Sequence, residues 1–154
     1  MFFEEHAKLL ADFARVSQAA GARADYVQGG GGNTSVKLPG GLMAIKASGF
    51  CLSDIHPDQA YAVLDGADLR NFYLTTEPSE LADVEKEGSA RAKADVRHID
   101  GLADLRPSVE AGFHSILKTF VVHTHSVYAN LAACSTACRP IAAQAFAGAN
   151  YTWG

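Results

Sequence analysis

The chain has 154 residues, 48 % of them hydrophobic and 19 % charged, with a formal net charge of −4. That is the length of one domain able to bury a core, in the ordinary composition of a globular protein. The mild charge, with no basic patch and no cationic amphipathic stretch, argues against nucleic-acid or membrane partners. The start MFFEEHAK places two acids where a signal peptide needs a basic region. No apolar run approaches membrane-spanning length. The three cysteines, Cys51, Cys134 and Cys138, are too few and too irregular for a disulfide framework and are expected as small buried thiols. A cytoplasmic protein is expected.

In chain order, residues 3–20 predict an amphipathic helix, with Phe3, Ala7, Leu10, Ala14 and Ser17 on one face and Gly21 as its stop. Four glycines, Gly29 to Gly32, then precede Asn33-Thr34-Ser35-Val36-Lys37-Leu38, a strand. Pro39-Gly40-Gly41 turns the chain into its hairpin partner, Leu42 to Lys46. Consecutive glycines cost backbone entropy and contribute no packing, and one reason to keep them is a row of N–H groups that approaches an anion. With Asn33 at one end and Ser48-Gly49 at the other, a phosphate-sized nest is one reading; a plain glycine-rich turn is the other. No GKS or GKT follows, so this is not a Walker loop, and the following strand excludes a dinucleotide fingerprint.

Further on, Pro57 to Leu64 predicts a short helix, Asp65-Gly66-Ala67 a turn and Phe72-Tyr73-Leu74 a strand. Residues 78–98 are charged and alanine-rich and predict a solvated helix or helix pair starting near Pro78. His56 and His98 have no partner pattern and are expected at the surface. In Arg106-Pro107-Ser108-Val109-Glu110, Ser108 can cap a helix whose first turn carries Glu110, and such a terminus offers N–H groups to an anion. This helix should run to about Lys118 and feed a strand containing Val121-Val122-His123-Thr124-His125. Residues two apart on a strand share a face, so His123 and His125 converge. Paired imidazoles there make two legs of a zinc or similar site, or are simply two histidines at a strand end. Glu110 favours the metal reading, because a short helix running directly into the strand brings its carboxylate to the pair. His114 lies one turn beyond Glu110, to hydrogen-bond it or to pack. Residues 126–135 predict another helix, broken by Pro140. The ending at Tyr151-Thr152-Trp153-Gly154 has no polar tail, so the single domain, 1–154, is expected to be incomplete at its C-terminal end.

Four stretches in fixed order, GGGGNTSVK at 29–37, KASGF at 46–50, RPSVEAGFH at 106–114 and VVHTHSVYANLAACS at 121–135, resemble the class II aldolase/adducin family. The match is to its L-fuculose- and L-rhamnulose-1-phosphate aldolases, and most to the aldolase part of bifunctional rhamnulose-phosphate aldolase/alcohol dehydrogenases. The charged 78–100 segment resembles an insertion. The resemblance implies a three-layer α/β/α sandwich with a largely antiparallel central sheet, and a homo-oligomer, usually a four-fold tetramer. It implies zinc held by His123 and His125, Glu110 as acid/base, and a substrate phosphate held by Asn33, Ser48, Gly49 and Ser108. The implied activity is retro-aldol cleavage of a ketose 1-phosphate to dihydroxyacetone phosphate and an aldehyde, through an enediolate that zinc stabilises as a Lewis acid. The alternatives are a non-catalytic module like the adducin head or a truncated inactive domain, and a sugar-phosphate epimerase or dehydratase on the same fold.

Two departures from the family pattern matter. The second serine usual before the glutamate is Val109 here, and no histidine follows His125 to supply the third metal ligand. Catalytic zinc usually takes three protein ligands, so the expected affinity is below that of a complete site. Glu110 is a provisional third ligand when substrate is absent. His114 is expected to substitute only after its helix turns by about a third of a turn, which packing resists.

Overall fold

The computed structural model describes residues 1–149. An antiparallel sheet of four strands forms its middle layer: β1 (Asn33–Lys37), β2 (Leu42–Lys46), β3 (Tyr61–Asp65) and β4 (Phe120–His123), in the order β3-β2-β1-β4. The hairpin β1–β2 pairs Ser35 with Ile45 and Val36 with Ala44, joined by a tight turn through Pro39–Gly41 as its proline and glycines require. Across β1, the last strand sets Asn33 opposite His123 and Ser35 opposite Val121.

Helices cover both faces, which gives the three-layer α/β/α sandwich. On one face lie α1 (Phe2–Glu5) and α2 (Ala7–Gly21), separated at His6 where the sequence pattern predicts one continuous helix. Leu10, Phe13, Ala14, Ser17 and Ala20 recur at three- and four-residue spacing and bury against Val36, Ala44, Tyr61 and Val63. Ala7, expected on that face, is exposed. On the other face α3 (Gly66–Thr75), α4 (Val84–Ala94) and α5 (Ala111–Ile116) enclose Met43, Ile45, Leu64, Leu69, Ala92 and Ala111. The two cores divide strand residues by alternation, as the pleat demands: Met43 and Ile45 belong to one, Ala44 to the other. After β4 come α6 (Val127–Ala133), capped by the Ser126 hydroxyl, and α7 (Cys138–Ala145).

The expectations for 57–74 are overturned. Residues 61–65 form β3 rather than a helix: Tyr61, Ala62, Val63 and Leu64 are buried on both faces of the sheet, which erases the period-2 signal. Phe72-Tyr73-Leu74 belongs to α3, not to a strand. The Asp65 carboxylate accepts the Asp68 N–H and caps that helix, and Leu69 and Tyr73 lie one turn apart toward the core, so context overrides the aromatic β-preference. The charged segment opens with a single 3-10 turn at Pro78–Glu80, where a helix start is expected, and continues as α4, tied down by Arg91 to Asp68 and Asp95. Pro140 does not break a helix but sits in the first turn of α7, where its missing N–H costs nothing. The cysteines are free and not fully buried: Cys134 is exposed, and Cys51 and Cys138 are partly so. Among the described residues no helix is long and apolar enough to cross a membrane. The chain end at 150–154 lies outside the described residues.

Candidate metal and acid-base centre

The centre forms where the start of β1, the end of β4 and the start of α5 meet. Strand register brings Asn33 and His123 side by side. The start of α5 is pinned to β2: Pro107 bridges Ala47, and the Ser108 N–H donates to the Lys46 carbonyl at 3.3 Å. The Ser108 hydroxyl accepts the Glu110 N–H at 3.3 Å, so it fixes the entry to the helix, whose N-cap position is Glu110 itself. Ser108 is therefore not the N-cap, contrary to the sequence reading.

This geometry sets Glu110 Oε1 2.9 Å from His123 Nδ1, although the approach lies off the direction of an aligned hydrogen bond. His114, one turn along α5, is fully buried; its Nδ1 meets the Ser35 hydroxyl at 2.8 Å, and its Nε2 is buried without a partner among the described residues. One ligand atom each from Glu110, His114 and His123 lies within 4.8 Å of the others. His114 therefore needs no rotation of its helix to reach the cluster, which corrects the sequence expectation. The Ser35 hydroxyl, in the middle of β1, holds its ring as an outer hydrogen bond holds a metal-ligating imidazole.

Only His123 belongs to β4; His125 lies in the following loop. Their rings nevertheless come together, with centroids 4.9 Å apart. His125 also explains part of the glycine run. A Cβ on Gly31 would stand 3.1 Å from His125 Nδ1, and one on Gly32 would stand 2.5 Å from Val27 Cγ1 and 2.9 Å from the His123 carbonyl. Gly32 also has φ +73°, where side chains are disfavoured. Close packing against the two histidines thus accounts for these two glycines, against the expectation that packing explains none.

Burial pushes the Glu110 carboxyl up, but the Asn33 amide and the His123 ring push it down further, so the net pKa is below the usual glutamate value. Asn33 is fully buried and neither atom of its amide is in an aligned hydrogen bond. Burial lowers His114 to about 4, with Lys37 and His123 adding to the effect and Glu110 opposing it, so its ring is neutral at pH 7. The neutral His114 imidazole and the His123 ring, each with an unpartnered buried nitrogen beside a carboxylate, are the donor chemistry of a divalent transition-metal ion, and these residues fit one.

The remaining phosphate candidates lie beside this centre. The Ser48 N–H donates to the Arg106 carbonyl at 2.9 Å, and the Arg106 guanidinium donates to the Ser48 hydroxyl at 2.9 Å. Gly49 follows with φ +91° and open space around it. Asn33 is not with them on the loop surface; its amide faces Glu110.

A family model described as Class II Aldolase and Adducin N-terminal domain matches residues 11–152. The chain belongs to the class II aldolase/adducin family. A solved structure of the N-terminal class II aldolase domain of a conserved protein from Thermoplasma acidophilum superposes with a TM-score of 0.71 at 21 % identity. It is matched over 87 % of this chain and 62 % of its own, so this class II aldolase/adducin chain spans under two thirds of that relative. No curated protein matches the sequence.

Three residues of this family member are site components that the sequence does not single out. His114 reaches the cluster without the helix rotation expected of it; its spacing from Glu110, one helical turn, is the signal for it. Arg106 lies in the RPSVEAGFH stretch, with no spacing that ties it to Ser48. Lys46 ends an otherwise apolar strand and is only 4 % exposed, a charge placement that sequence alone does not reveal.

Proposed function

We propose that the protein cleaves a ketose 1-phosphate by a zinc-dependent retro-aldol reaction, giving dihydroxyacetone phosphate and an aldehyde. The sugar phosphates of the fuculose and rhamnulose type are the first candidates. The observation that carries this reading is the Glu110 carboxylate 2.9 Å from His123, within a cluster that includes His114, with the His125 ring alongside. In this reading His123 and His125 hold the ion, and Glu110 or His114 completes the donor set when substrate is absent. A mixed imidazole and carboxylate set suits zinc. When bound, the ion supplies a Lewis acid that draws electron density from a substrate carbonyl.

The chain's own residues do the rest. Glu110 takes the proton of the carbinol hydroxyl as the carbon–carbon bond breaks and that hydroxyl becomes the aldehyde. It then returns the proton to the carbon beside the carbonyl, so atoms and charge balance. Its lowered pKa keeps it ionised, ready to accept, at neutral pH. Such proton transfer is worth about 10²–10⁴-fold. Ser48, Gly49 and Ser108, with Asn33 behind them, hold the phosphate and keep the reacting carbons near base and ion. The protein acts as a homo-oligomer in the cytoplasm.

Elemental analysis of the purified protein, followed by an assay for dihydroxyacetone phosphate across ketose 1-phosphates, tests the reading. Stoichiometric zinc and triose release, both lost in His123→Ala, are expected. An isomeric sugar phosphate without triose would replace the aldolase by an epimerase. Metal-free protein with no turnover on any substrate, before or after zinc addition, would leave a non-catalytic module.

A further inference from the structure

Lys37 ends β1 at the opposite edge of the fold from the centre. Asn33 begins that strand beside His123, and four steps of extended chain, roughly 13 Å, separate it from Lys37. At this far end lies a cleft of about 380 Å³, lined by Lys37, Arg70 and Lys118 together with Gly66 and Ala67 of the first turn of α3. Three cations face one space, and among the described residues no aspartate or glutamate lines it. The acids at the start of α3, Asp65 and Asp68, are engaged elsewhere by Arg97 and Arg91. None of the three cations has an ion pair among the described residues. Burial lowers the Lys37 pKa to about 8, the Arg70 charge adds to the effect, and no carboxylate opposes it.

Part of this charge has a structural use. The Lys37 ammonium donates to the His114 carbonyl and, at 3.3 Å, to the Lys118 carbonyl, and the Arg70 guanidinium donates to the Ile116 carbonyl at 2.6 Å. These two cations cap the C-terminal end of α5, whose last carbonyls have no partner within the helix. Capping leaves donors over. An ammonium has three N–H groups, of which Lys37 uses two. A guanidinium has five, and those on Nε and Nη2 of Arg70 have no partner among the described residues. The Lys118 ammonium has no partner there either and caps nothing. Spare positive donors from three separate places, β1, α3 and the loop after α5, therefore converge on a cleft whose remaining wall is the positive end of a helix. Like charges held together repel, a cost that an anion between them removes.

We propose that this cleft is a second anion site, which takes a phosphate group, free or carried by a small molecule, between Lys37, Arg70 and Lys118. The guanidinium supplies a planar fork that grips two oxygens, and the ammonium groups supply point charge. The volume of about 380 Å³ lies within the range of small-molecule sites, about 300–1,000 Å³, and leaves room for an organic group beside the phosphate. The site is separate from Ser48, Gly49 and Ser108 and does not depend on the aldolase reading. It communicates with the centre through α5: the cations that hold the phosphate also hold the His114 and Ile116 carbonyls, and Glu110 begins the same helix. Filling the cleft thus bears on where His114 stands.

The experiment titrates the whole 15N-labelled protein with inorganic phosphate and, separately, with glycerol 3-phosphate, at an ionic strength held constant with sodium chloride. The amides of Ala67 and Lys118 and the Arg70 Nε–H report on the cleft, Gly49 on the proposed substrate loop and His114 on α5. The cleft signals are expected to move together and saturate on a curve separate from that of Gly49, with His114 following them. Arg70→Gln should weaken binding at the cleft by about tenfold or more, and Lys118→Gln by about threefold, each with the Gly49 curve unchanged. Lys118→Gln removes no structural contact, so it decides the matter if Arg70→Gln does not fold. Tighter binding of the ester assigns the site to a phosphorylated small molecule, and equal binding assigns it to free phosphate. Cleft signals that never saturate, or that shift unchanged in the variants, show an adventitious ion only and overturn the proposal. A cleft that fills while His114 stays still overturns the link through α5. Phosphate that moves Gly49 and not the cleft leaves the substrate loop standing and removes this inference; the reverse removes the loop and keeps the cleft.

Discussion

Replacing Gly112 by alanine should destabilise the protein, although alanine is the better helix former by about 1 kcal/mol. The reason is Tyr73, which leans from α3 against two other helices. A Cβ on Gly112 in α5 would stand 2.3 Å from Tyr73 Cζ and 2.6 Å from Cε2, and one on Gly88 in α4 would stand 2.0 Å from Tyr73 Oη and 3.0 Å from Cζ. Carbon atoms pack best at about 3.5–4.0 Å, so both substitutions overfill the space. Overpacking typically costs about 1–3 kcal/mol, and at Gly112 the obstacle is a ring wedged between helices, which puts it at the upper end. Subtracting the helix gain leaves a net loss of about 2 kcal/mol, or about 4–8 °C in Tm at this chain length. The two sites should separate in a Tyr73→Phe background. Removing the hydroxyl deletes the 2.0 Å obstacle to Gly88→Ala and leaves only Cζ at 3.0 Å, so most of its cost should go. At Gly112 it removes the Oη at 2.4 Å but leaves the ring carbons at 2.3 and 2.6 Å, so Gly112→Ala should keep most of its cost. Thermal unfolding followed by circular dichroism on the four single and double variants measures this. A Tm that rises in Gly112→Ala, or equal rescue of both glycine variants by Tyr73→Phe, would refute the argument.

Glu110→Gln should keep the fold and lower turnover by about 10²–10⁴-fold, read as kcat for triose release; an unchanged kcat would exclude it as the proton carrier. In chelator-treated protein, His114 stays neutral down to about 4 while the unfolded chain protonates near 6.5. The unfolded state then binds more protons between those values, so this contribution is intact above pH 6.5 and is lost as pH falls toward 4. The loss is about 3 kcal/mol, measurable as a drop in urea unfolding free energy that His114→Gln lacks. Gly31→Ala should displace His125 and weaken zinc binding with little change in Tm, because the obstructing atoms are the edge of an exposed-loop imidazole and the Gln28 carbonyl; equal zinc affinity would show that His125 is not a ligand.

What the sequence disclosed was local. The hairpin of β1 and β2 carries its own turn chemistry, and α2 its own periodicity, so both are legible from neighbouring residues. Tyr61 to Leu64 and Phe72 to Leu74 are not, because the first run is buried on both sides and the second obeys a cap at Asp65 and partners on α5. The site divides in the same way. His123 and Glu110 stand out because their residue types and motifs are unusual. The unpartnered nitrogen of His114 and the burial of Lys46 depend on where β1 and the loops lie, which no spacing encodes. The glycine run shows the cost of judging packing from composition: beside the local Gln28 carbonyl, Gly31 is crowded by His125, 94 residues away.

The pairing of Asn33 with His123 joins segments 90 positions apart, and it does so through a strand that, among the described residues, is bonded on one side only. Closing such a long loop is an entropic cost that the hairpin and β3 do not share. Phe120 and Val122 on that strand are 40 % and 47 % exposed, so little burial offsets it. Among the four described strands, β4 is thus the one that opens most readily, while β1, β2 and β3 stay paired through their own ladders. Each such opening carries His123 away from Glu110 and Asn33, so the centre exists only while the edge is zipped. A cation that needs His123 therefore acts as a clasp on this edge, slowing amide exchange at 120–123 by a factor that grows with its concentration relative to Kd. Occupancy of the centre and integrity of the edge are one equilibrium.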